Sequence, residues 1–187
     1  MVKLQISLRR IIFAAGDTEI VVKKTVLTVL LILELFLIFF FSAQDSSESS
    51  KVSGSVCEVI SRLVTPGFDE LSVEEQADIV SRFQFAVRKC AHMTEFALLA
   101  ATAYPFFICV AALSPKASFF TGIAFCSACA FFDELHQSFV PGRAMQITDM
   151  LIDICGGIAG ALISVLIRRI VIKRIAKKAA NNRKAEE

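Results

Sequence analysis

The run Thr25–Phe41 contains one ionisable side chain, Glu34, and is otherwise built from Leu, Ile, Val, Phe and Thr. A helix crosses a hydrocarbon core of about 30 Å with roughly 20 such residues. In lipid the backbone N–H and C=O groups must be satisfied within the chain, so an isolated apolar run of this kind has to be helical. Three further apolar runs follow, at about 90–113, 117–137 and 149–170. The chain is therefore expected to be an all-α membrane protein, a four-span transmembrane helix bundle. Composition agrees: 55% of residues are hydrophobic, with 17 Phe and no Trp. Phe can face lipid without needing a hydrogen-bond partner. Ser42-Ala43-Gln44 loosely resembles a small-residue cleavage site, but the preceding run is long and carries Glu34, so a retained anchor helix is expected.

The net charge of +2 hides a segregation of charge. Lys3, Arg9, Arg10, Lys23 and Lys24 precede the first run, within an N-terminal segment 1–24. Arg168, Arg169, Lys173, Arg174, Lys177, Lys178, Arg183 and Lys184 follow the last, mostly in a tail 171–187. Lys116 lies in the short turn between runs two and three, whereas carboxylates outnumber bases in the loop 42–88. The positive-inside rule then places both termini in the cytoplasm and the loops 42–88 and 138–148 outside. A basic tail directly after a span fits anionic lipid heads better than nucleic acid.

Other local signals are weaker. Lys3 to Leu8 alternates like a strand and Gly16-Asp17 marks a turn, so the segment 1–24 reads as either a short hairpin or an interfacial segment. Within the outer loop, Thr65-Pro66-Gly67 is a breaker, and a short helix is expected around Val52–Leu63. Ser72 and Glu75 have capping-box spacing. They open an amphipathic outer-surface helix between spans 1 and 2, with Val73, Val80, Phe83 and Val87 at helical spacing. Pro105 marks an expected kink in the second span. Cys126 and Cys129 sit inside a span without the second ligand pair that zinc needs. A pairing of Cys57 with Cys90 stays open.

Three segments put ionisable groups at the outer ends of three spans. They are Arg88, Lys89, His92 and Glu95; Asp133, Glu134, His136 and Gln137; and Arg143 with Asp149 and Asp153. At 100° per residue, Arg88, His92 and Glu95 share a face, as do Asp133, Glu134 and Gln137. Asp149 and Asp153 align with Gly156 and Gly160. The spacing Gly156-x-x-x-Gly160 lets a neighbouring helix approach closely and brings its carboxylates to the other polar faces.

Charges near mid-bilayer cost several kcal/mol and need partners, so such a cluster is either a structural lock or a working site. As a lock, Arg88 would pin Glu95, and Arg143 would pin Asp149 or Glu134. As a site for a polar ligand, Arg88, Lys89 and Arg143 would clamp phosphate. As a catalytic site, His92 oriented by Glu95 would be a general base, with one of Asp133 and Glu134 an acid. No tight ligand motif such as H-E-x-x-H is present, and no metal or other cofactor is assigned. Glu34, alone in the first span, is expected to meet a polar group on a neighbouring helix.

These residues resemble the VanZ-like family of bacterial membrane proteins. The likeness rests on Ser42-Ala43-Gln44 with trailing serines; on Arg88, Lys89, His92, Glu95 and Phe96; on Asp133, Glu134, His136, Gln137, Pro141, Gly142 and Arg143; and on Asp149, Asp153 and Gly156. It spans about residues 25–170. Where the family commonly has Tyr, this chain has Phe96, so a hydroxyl there is not essential. The resemblance implies a multi-pass protein of the bacterial cytoplasmic membrane and cell envelope. The name-giving member is linked to reduced susceptibility to the glycopeptide teicoplanin. By that likeness the cluster would bind a cell-wall precursor, a lipid-linked phosphate or a glycopeptide at the outer face. An intramembrane acid–base enzyme acting on a lipid-linked phosphate and a structural or assembly protein are the alternatives. The oligomeric state stays open.

Overall fold

The computed structural model describes residues 2–44, 54 and 57–186, with side chains over 18–184 of that range. Among the described residues the protein is all-helical, without a strand. Helix α1 spans Val2–Ser42, α2 Val73–Cys109, α3 Pro115–Gln137 and α4 Ile147–Glu186, with a 3-10 turn at Phe68–Glu70 and a helical stretch at 57–64. The backbone from residue 2 onward is helical, so the hairpin alternative for the N-terminal segment does not hold. The short helix expected around Val52–Leu63 is described at residue 54 and from residue 57 onward, and is helical there, while Val52 and the serines trailing Gln44 lie outside the described residues.

Three stretches are long and apolar enough to cross a membrane: Thr18–Ser42, Pro115–Gln137 and Ile147–Lys184. Helix α2 is not among them, because Arg88, Lys89, His92 and Glu95 interrupt its apolar character. It is one unbroken helix of 37 residues, so the stretches expected to form a surface helix and a second span belong to one continuous helix. The capping box forms: the Ser72 hydroxyl accepts from the Glu75 N–H, and the Glu75 carboxylate accepts from the Ser72 N–H at 2.9 Å. Ile79, Val80, Phe83 and Val87 then line one half-buried face, while Val73 is exposed. Gln76 on that face donates to the Phe68 and Leu71 carbonyls, tying the helix to the preceding loop. After Cys109 a short turn leads to Ser114, which caps α3 from outside while Pro115 occupies its first turn.

The interior is built from small and medium side chains. Leu31 and Ile38 of α1, Phe96, Leu99, Ala100 and Ala103 of α2, Cys126, Cys129 and Ala130 of α3, and Ala161 of α4 form the core. Large apolar side chains such as Leu30, Leu33, Phe36, Phe132, Leu162 and Leu166 point outward. A soluble protein rarely leaves so continuous an apolar surface uncovered, and a bilayer covers it here. The glycine stripe of α4 does what its spacing implies. A Cβ on Gly156 would overlap the Met93 carbonyl, and one on Gly160 the Ala97 carbonyl. Met93 and Ala97 are themselves one turn apart, so α2 and α4 meet backbone to backbone over a full turn.

Two polar contacts tie the apolar middle together. Thr102 of α2 donates to Glu34 of α1 at 2.8 Å, giving the lone acid its partner. Pro105 has no N–H, so the Ala101 carbonyl one turn earlier loses its helical donor. The Ser164 hydroxyl of α4 donates to that carbonyl at 3.0 Å. Neighbouring helices commonly satisfy freed carbonyls in this way in lipid. Ser164→Ala should therefore lower stability by about 1 kcal/mol. In a Pro105→Ala background the same change should cost much less, because the helix then supplies its own donor. Thermal unfolding of the four variants of this cycle checks the coupling.

Candidate functional site

The polar groups gather where the first turns of α4 meet the middle of α2 and the end of α3. A cavity of about 380 Å³ opens there, lined by Phe85, Arg88, Lys89, His92, Gln137, Gly142, Arg143, Ala144, Gln146 and Asp149. Helix α2 supplies a stripe, since residues 85, 88, 89 and 92 recur at helical spacing. The loop between α3 and α4 supplies the opposite wall. Gly142, at φ 76°, turns that loop back so that Arg143 enters the cavity.

Glu134 fixes the loop. It is 1% exposed, and one of its carboxylate oxygens accepts the Gln146 N–H at 2.7 Å. This contact was not foreseen, because a backbone donor leaves no trace in residue identity. It makes Glu134 a positioning residue for the wall that carries Arg143.

The ion pairing also differs from expectation. Arg88 does not pair with Glu95, and Arg143 pairs with neither Asp149 nor Glu134 among the described residues. Lys89 of α2 pairs instead with Asp149 of α4, and both side chains are largely buried. Lys89 lies one residue, hence 100°, further round α2 than Arg88, which turns it toward α4. With Asp149 engaged, Arg88 and Arg143 line the cavity without an ion pair to a carboxylate among the described residues. Burial lowers the pKa of Arg143 from its usual value and the adjacent Arg88 guanidinium lowers it further, against the opposing pull of Asp133, Glu134 and Asp149. A guanidinium nevertheless stays protonated. Two like charges held together in a recess favour an anion between them.

Beneath the cavity lies a carboxylate floor. Asp133 of α3 and Asp153 of α4 are both 0% exposed. Gln137 donates to one oxygen of Asp133 at 2.8 Å. The other Asp133 oxygen, both Asp153 oxygens and Nδ1 of His92 have no hydrogen-bond partner among the described residues. His92, Asp133 and Asp153 each offer a ligand atom within 4.8 Å of the others. The expected His92–Glu95 hydrogen bond is not formed, so His92 is not oriented as a general base by Glu95.

Of the anticipated residues, Arg88, Lys89, His92, Gln137, Arg143 and Asp149 line the cavity, and Asp133 and Asp153 lie below it. Glu95 sits half-buried on α2, within electrostatic reach of Asp133 and Asp153. His136 does not line the cavity: it is exposed and meets the Phe39 ring edge-on, with centroids 6.3 Å apart, while staying within electrostatic reach of Asp133. Ser42 belongs to the motif that carries the family resemblance, though not to the ionisable cluster read from the sequence. It is buried at the end of α1 beside Asp133, with its hydroxyl outside hydrogen-bonding geometry. The six cysteines are free, including Cys57 and Cys90.

Outward apolar helices enclosing a charged recess near one end define a helical membrane protein. The VanZ/LLP1 family model matches residues 27–168, and the chain belongs to that family. No curated protein and no solved structure matches the chain.

Proposed function

We propose that this protein is a four-span component of the bacterial cell envelope whose outer-face cavity binds the phosphate headgroup of a lipid-linked ligand. The observation that carries the proposal is the pair Arg88 and Arg143, which line one cavity and form no ion pair with a carboxylate among the described residues, while Lys89 is paired with Asp149. A volume of about 380 Å³ lies within the range of roughly 300–1,000 Å³ typical of small-molecule sites.

Helix α2 is the fourth span. It packs backbone to backbone on α4, accepts from Ser164 at Ala101 and holds Glu34 through Thr102, so it lies at the depth of the apolar helices. Its residues 73–87 form the outer-surface extension. At 1.5 Å per residue α4 is about 60 Å long, twice the hydrocarbon core. Its exposed basic end therefore projects from the membrane, and the positive-inside rule puts that end in the cytoplasm. The first residues of α1 lie on the same side. The cavity, at the opposite end of α4, faces outward.

Reduced susceptibility to teicoplanin-type glycopeptides would follow from sequestering or presenting a lipid-linked wall precursor at this site. The test is titration of the purified protein in nanodiscs with a polyprenyl monophosphate and with the matching polyprenol. Saturable binding of the phosphate, weakened as salt rises and absent for the alcohol, is the expected result. Equal binding of the two lipids would overturn the proposal.

A further inference from the structure

The carboxylate floor under the cavity presents an imbalance that the anion site does not resolve. Asp133 and Asp153 are completely buried, and neither meets a lysine or arginine in an ion pair among the described residues. Asp153 lacks a hydrogen-bond partner on either oxygen. Isolated buried carboxylates are costly, and a bound cation is one way to compensate them. The third member of the group is an imidazole, His92, whose Nδ1 is also unpartnered.

We infer that His92, Asp133 and Asp153 form a binding site for a divalent transition-metal ion of the Mn²⁺ or Zn²⁺ type. One imidazole with two carboxylates matches the donor preference of these ions and disfavours purely oxygen-seeking Ca²⁺. The three candidate atoms lie within 4.8 Å of one another. Metal–ligand bonds near 2.1 Å place tetrahedral donors about 3.4 Å apart, so closure needs side-chain movement of about an ångström. Gln137 already holds the second oxygen of Asp133, the kind of outer contact that orients a metal-binding carboxylate. Three protein ligands leave a coordination position open, as in ion sites that engage a ligand rather than only brace a fold. Because His92 also lines the cavity, that position is close to Arg88 and Arg143. The donors come one each from α2, α3 and α4, so no local sequence motif announces them. That is why the sequence alone assigned no metal.

The inference goes beyond anion binding and does not depend on it; its test contains no phosphate lipid. Protein purified without chelator is assayed for metal content, then stripped and titrated with Mn²⁺ and Zn²⁺. About one ion per chain should bind saturably. Asp153→Asn should weaken binding at least about tenfold, and His92→Ala likewise. Asp78→Asn, on the exposed outer face of α2 and paired there with Arg82, should bind as the wild type does. Thermal unfolding supplies a second readout. Without metal, Asp153→Asn should melt no lower than the wild type, because the buried carboxyl group it replaces already lacks a hydrogen-bond partner. With metal, the wild type should melt higher. No saturable binding to the stripped wild type would overturn the site. So would wild-type affinity in Asp153→Asn, or the same order of melting temperatures with and without metal.

Discussion

Replacing Gly160 with alanine is expected to remove most of the folded protein from the membrane. The added Cβ would fall on the Ala97 carbonyl carbon and oxygen, which belong to a helix backbone and cannot rotate aside. Helices α2 and α4 would have to separate, and Gly156 against Met93 forbids a compensating slide by one turn. Overpacking of this kind costs about 1–3 kcal/mol even where side chains can adjust. Against a rigid backbone the loss should be larger, enough to abolish accumulation of a marginally stable bundle. Gly122→Ala is the matched control. A Cβ there would meet only the Tyr104 nitrogen, at an ordinary contact distance of 3.9 Å. Detergent-extracted yield and melting temperature should fall sharply for Gly160→Ala and stay near wild type for Gly122→Ala.

The second large effect concerns the ion pair Lys89–Asp149. Lys89→Met should destabilise by about 3 kcal/mol, because it takes away the partner of the largely buried Asp149 carboxylate. The double variant Lys89→Met with Asp149→Leu should recover most of that loss, since a well-packed apolar pair can replace a buried ion pair. It would also leave Arg88 and Arg143 in place. Unfolding of the two single variants and the double variant gives the coupling directly. Additive losses would show that the pair does not join α2 to α4.

The helices were legible because apolar runs of spanning length have few alternatives in lipid. The close approach of α2 and α4 was legible in Gly156-x-x-x-Gly160, because small residues one turn apart leave only backbone to meet. The site was legible as a gathering of residues at helical spacing, which put Arg88 and His92 on one stripe. Its pairing was not. A rotation of 100° separates Arg88 from Lys89, and only the settled packing of α4 decides which of them meets Asp149. Backbone donors were equally silent, as the Gln146 N–H on Glu134 shows. Pro105 signals that the Ala101 carbonyl needs a donor, but not that Ser164, on a helix distant in sequence, provides it. The segment 1–24 misled because its alternation spans too few residues to outweigh continuity with the helix that follows.

Arg88 and Arg143 decide between a working site and a set of charges that merely hold helices together. In a lock, removing them weakens the fold. In an anion site they repel each other until the ligand arrives, which offsets the pull of the nearby carboxylates on Arg143, so their removal leaves the empty protein's fold in place. The decisive measurement is made on Arg88→Ala with Arg143→Ala, recording melting temperature and polyprenyl monophosphate affinity on the same nanodisc sample. The melting temperature should hold or rise while affinity falls at least about a hundredfold, as expected from losing two charge-assisted contacts of about 1.5–3 kcal/mol each. Retained affinity, or a collapse of stability in the absence of ligand, would contradict this account.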